Sequence, residues 1–99
     1  MAEADKVDAA FFERADKFID LANAQCQDVG QGKVSASFMY ALTRFNAWVS
    51  ACGCDDSQQM QGARQEAIDY FMEQFKSMLE ENIDDYIANY AKYMRSSQS

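Results

Sequence analysis

Along FFERADKFIDLANAQCQ, apolar residues return at steps of three and four: Phe11, Ala15, Phe18, Ile19, Ala22 and Cys26. At about 100° per residue these share one helix face, with Glu13, Asp16, Lys17 and Asp20 opposite. A first helix is therefore expected from about Asp8, whose carboxylate suits an N-cap. DVGQGK follows, with two glycines and Val29 as its one large apolar residue, and predicts a turn. SASFMYALTRFNAWVSAC predicts a second helix from Ser35, a capping residue, to Cys52. Its core face would be Phe38, Ala41, Leu42, Phe45, Trp48, Val49 and Cys52. Met39, Tyr40, Ala47 and Ala51 spread apolar surface further round, as in a helix lying between neighbours or against another chain.

The third helix is expected to open at Asp55, Asp56 or Ser57 and to run to about Glu81. Met60, Ala63, Ala67, Ile68, Phe71, Phe75, Met78 and Leu79 make its stripe, with Gly62 weakening the first turns by roughly 1 kcal/mol relative to alanine. Ile83, Tyr86, Ile87, Tyr90 and Met94 are rotated from that stripe by roughly 80°. A break near Asn82, capping a shorter fourth segment in NIDDYIANYAKYM, explains the rotation; a kink without a break explains it equally. The expected fold is all-α: an up-down bundle of three principal helices and a shorter C-terminal one. Residues 1–8 are expected to form a flexible lead-in, 9–94 a single helical domain, and 95–99 a disordered tail.

Composition reinforces the helical reading. Proline is absent and glycine occurs four times, which removes the turn punctuation of small β-proteins. Of the 99 residues 48% are hydrophobic, including seven Phe, five Tyr and one Trp, so a folded core is expected rather than a disordered chain. The net charge of -7 repels phosphate backbones and anionic lipid, which argues against nucleic acid and membrane as partners. MAEADKVDAA puts acidic residues where a signal peptide has a basic start and an apolar core, so a cytoplasmic location is expected. Three cysteines then fit reduced thiols better than a disulfide framework.

Candidate chemistry centres on CGCDD, residues 52–56. Cys52 and Cys54 offer two soft ligands for zinc or copper, but the chain has no histidine and the spacing is not that of a zinc knuckle. In the expected hairpin Cys26 lies at the opposite end of the second helix, roughly 20 Å or more away. A structural account covers every letter: Cys52 ends the core stripe, Gly53 supplies a left-handed helix end, and the aspartates cap the next helix. Without histidine the usual general base and nucleophile pairs are missing, and GQGK is too short for a phosphate loop. No enzyme activity and no cofactor are expected.

Arg44 and Asn46 are the unusual polar residues of the second helix. Arg44 lies one turn before Trp48, within reach of its ring, and Asn46 can fix the register of a helix pair. With Tyr40 and Trp48 they form the alternative site, for a small ligand. Tyr86, Tyr90 and Tyr93 share a flank of the last segment, where rings pack and hydroxyls stay wet, as at a core edge or a protein interface.

FFERADKFIDLAN, KVSASFMYALTRFNAWV and IDDYIANYAKY together resemble a family of short proteobacterial proteins known only as a domain of unknown function. The likeness spans about Phe11 to Tyr93, and RFNAW, Arg44 to Trp48, is its most distinctive piece. It implies a bacterial source and a compact helical domain and adds no catalytic residue. The function expected from the residues is non-catalytic binding of another protein, or of a second copy as a dimer; a small-ligand or zinc or copper binding protein is the alternative.

Overall fold

The computed structural model describes residues 8–98, with side chains described as far as Arg95. Five helices follow one another: α1 (Phe11–Gln25), α2 (Gln31–Cys52), α3 (Ser57–Gly62), α4 (Arg64–Ala88) and α5 (Tyr90–Gln98). The described residues are thus essentially all helical, with α1, α2 and α4 as the principal elements. The chain divides into two compact units, Met1–Ala47 and Trp48–Ser99. All of the expected lead-in except Asp8 lies outside the described residues.

In the first unit, α1 begins three residues later than expected. Asp8 stands before it, its Oδ1 accepting from the Ala10 N–H at 3.2 Å and from Arg14 Nη2 at 3.0 Å. The position next to the helix is taken by Ala10, with no side-chain cap. α2 starts at Gln31 rather than Ser35, because the Gly30 carbonyl already accepts from Lys33 and Val34 at 3.1 and 3.2 Å. Ser35 is therefore inside the helix and caps nothing. Val34, expected outside it, is the one buried apolar residue among those described, at 5% exposure.

In the second unit the expected third helix is two helices. Gly62 ends α3, and the next residue, Ala63, leaves helical geometry at φ -96, ψ 1, its N–H divided between the Gln59 and Met60 carbonyls. The expected break at Asn82 is absent. Its amide donates back to the Met78 carbonyl at 2.8 Å, so the residue stays inside α4. The break falls at Asn89 instead, at φ -123, ψ 26. There both the backbone N–H and the side-chain amide donate to the same Asp85 carbonyl, at 3.0 Å each. Asn82 bonds the carbonyl four residues back in the same way without a break, so the shared carbonyl alone does not account for the one at Asn89. α5 then continues through residues 95–98, where an unstructured tail was expected.

The expected core faces are more open than their periodicity implies. Phe11, Ala15, Ala22, Val49, Met60, Ala63, Ala67, Ile68 and Phe71 are half-buried. Phe18, Ile19, Phe38, Leu42, Phe45, Trp48, Phe75, Met78 and Leu79 are exposed, as are Cys26 and Cys52. Periodicity fixes which residues share a face, whereas burial needs a second surface laid over that face.

Candidate functional site: the α4–α5 face

The joint at residues 50–60 was the first chemical candidate, and the structure gives it a structural explanation. Asp56, extended at φ -156, ψ 176, caps α3 by accepting from the Gln59 N–H at 2.8 Å. Gln59 reaches back to accept from the Asp55 N–H, closing a reciprocal cap of the capping-box kind. On the other side, the Cys54 thiol donates to the Ser50 carbonyl at 3.4 Å, and the Gly53 and Cys54 N–H groups bond Ser50 and Ala51. Gly53 is not left-handed, contrary to expectation: no glycine among the described residues has positive φ. The α2 end closes by these tighter bonds to carbonyls three residues back, which any residue can make. Cys52 is exposed rather than part of a core stripe, Cys54 is half-buried, and all three cysteines are free thiols. Among the described residues no three Cys, Asp or Glu side chains gather as a metal site.

The residues of the second candidate lie along α2. Tyr40 and Arg44 are both exposed and, four apart, share a flank; Asn46, half-buried, sits roughly 200° round from Arg44. Helical geometry thus separates Asn46 from the other two. Trp48, the first residue of the second unit, is 61% exposed.

The tyrosine flank is where the structure assembles a surface. Asn82, Ile83, Tyr86, Ile87 and Tyr90 line an open groove of about 260 Å³ onto which no polar atom opens. The face carries on across the break at Asn89: Tyr86 and Tyr93, seven residues apart, bring their rings to 4.7 Å, tilted by 48°. The Tyr93 hydroxyl donates to Asp85 Oδ2 at 3.0 Å, tying α5 back to α4 from the rim of the groove. Donation to that carboxylate, reinforced by partial desolvation and the Asp85 charge, holds the Tyr93 hydroxyl above the usual tyrosine range. Asp85 also accepts from the Asn89 amide at 3.0 Å, so one carboxylate organises the joint from both sides.

Residues 11–87 match the family described as protein of unknown function, DUF3144. The chain belongs to that family. It is also similar to the NMR structure of the protein NB7890A from Shewanella sp., at 44% identity and a TM-score of 0.73, over 95% of this chain and 99% of that one. No match was found among curated proteins. The family resemblance carried by RFNAW and its flanking strings is therefore shown. The family description names no activity, so function rests on the geometry.

Two of the three tyrosines picked out by sequence, Tyr86 and Tyr90, line the groove, and Tyr93 fastens its rim. Sequence reasoning missed the role of Ile83 and Ile87 in the groove and of Asp85 at the joint. The apolar signal was present, because Ile83, Tyr86, Ile87 and Tyr90 recur at helical steps. The tie between Asp85 and Tyr93 spans eight residues across a helix break, a spacing that apolar periodicity does not mark.

Proposed function

We propose that the protein is a non-catalytic binding module that contacts another protein through the α4–α5 face. The observation that carries this reading is an apolar groove whose residues stay open to solvent: Ile83 50%, Tyr86 50%, Ile87 70% and Tyr90 63% exposed. Leu79, one turn before Ile83, adds a further 45% exposed side chain. Five large side chains in this state present on the order of 500 Å² of contiguous apolar area, the scale at which a patch marks a contact site. A small-molecule pocket would enclose most of its ligand, and a shallow groove on one helix face does not. Tyrosines at the rim suit a protein contact, where a ring is covered and a hydroxyl stays wet.

In the same reading the helices belong to an up-down bundle fold, in a bacterial cytoplasmic protein. Support comes from the acidic composition, the unpaired cysteines and the family likeness. No helix among the described residues is long and apolar enough to cross a membrane. The test is a tagged pull-down from the native cell with wild type and Ile87→Glu. Enrichment of a protein, or of untagged copies of the chain, that disappears in the variant is the expected result. Identical capture by both proteins contradicts the reading.

A further inference from the structure

We infer that the partner on this face is a second copy of the chain, paired antiparallel about a two-fold axis near Ala88. The inference rests on the contact-face reading and adds the identity of the occupant. Around the α4–α5 stripe the charges are ordered: Glu80 and Asp84 lie on one flank before the break, and Arg95 lies on that same flank after it. In a two-fold antiparallel helix pair, like flanks meet and residues at equal distances from the axis face each other. With the axis at residue 88, Tyr86 lies level with the second copy's Tyr90, and Ile83 with its Tyr93. Arg95 then falls level with residue 81 of the other copy, between Glu80 and Asp84.

The face is thus complementary to itself, apolar at the centre with an Arg–carboxylate cluster repeated at each end. A two-fold parallel pairing would set unlike flanks together and keep Arg95 at the level of residue 95, far from Glu80 and Asp84, so only the antiparallel direction pairs these charges. Arg95 is exposed and makes no ion pair within its own chain among the described residues, which leaves it available to the second copy. The ring contact between Tyr86 and Tyr93 carries the face across the break at Asn89.

The full chain with Cys26, Cys52 and Cys54 replaced by serine tests the proposal by cross-linking. Ile87→Cys, next to the axis, should oxidise rapidly to a covalent dimer. Ser77→Cys, whose two copies would lie roughly 33 Å apart along the helices, should not. Arg95→Glu should weaken association at least tenfold with helical circular dichroism unchanged, and adding Glu80→Arg and Asp84→Arg should restore it. Equal cross-linking at residues 77 and 87, or an unaltered dimer in Arg95→Glu, overturns the arrangement. A monomer at high concentration that still captures a different protein, in a manner abolished by Ile87→Glu, overturns the second copy and leaves the contact-face reading standing.

Discussion

The joint at residues 50–60 and the face at residues 79–94 belong to the same unit and differ in how their groups are satisfied. At the joint, polar groups close on neighbours within four residues: Asp56 on Gln59, Gln59 on Asp55, and Cys54 on Ser50. On the face, Asp85, Asn89 and Tyr93 close the polar bonds, while Ile83, Ile87 and Tyr90 remain open to water. A region whose demands are met locally is structural, however suggestive its cysteines and aspartates look. On the proposed reading, a region whose polar groups are met and whose apolar groups stay exposed is the one that takes a partner.

The largest effect should come from breaking the face. Ile87→Glu places a carboxylate in the centre of the groove and should weaken association by about 100-fold, on the order of 3 kcal/mol, with little loss of helix content. Equal loss of association and folding would erase the distinction between the regions. Val34→Ala probes the one buried apolar side chain instead. It should cost about 1 to 2 kcal/mol in chemical denaturation and leave association per folded chain unchanged.

Breaking the joint should act on folding alone. Asp56→Ala removes the α3 cap and should cost about 1 kcal/mol, read as a lower melting temperature. Changed association in this variant would show that the joint communicates with the face. The smallest effect concerns Tyr93. A hydroxyl raised above its usual value near 10 adds stability that is complete below that value and is lost as pH rises through the folded value. Helix content of the wild type should therefore fall in that alkaline window more than that of Tyr93→Phe, as followed by circular dichroism. Identical alkaline profiles would mean that the Asp85 bond does not persist in solution.

Periodicity made the helices legible, together with the cap at Asp56 and the tyrosine flank, because each is written in residues close in sequence. The ends were less legible. Asn82 and Asn89 are the same residue type in similar surroundings, and both donate to the carbonyl four residues back. The helix runs on at Asn82 and breaks at Asn89, and the composition around the two residues does not encode that difference. Gly62 looked like a weak point inside a helix and proved to be its end, since a short segment held by one cap has little length with which to bridge a glycine. Burial was the least legible property. The stripe of Phe38, Leu42 and Phe45 has core periodicity and yet is exposed, because one chain's pattern does not reveal which surface covers it.

The most direct measurement of the central claim is the molar mass in solution, by light scattering across a concentration series, of wild type and Ile87→Glu. The account predicts twice the chain mass of 11.2 kDa for the wild type and a single chain mass for the variant, with equal helix content. A wild type and a variant of the same mass at every concentration would contradict it.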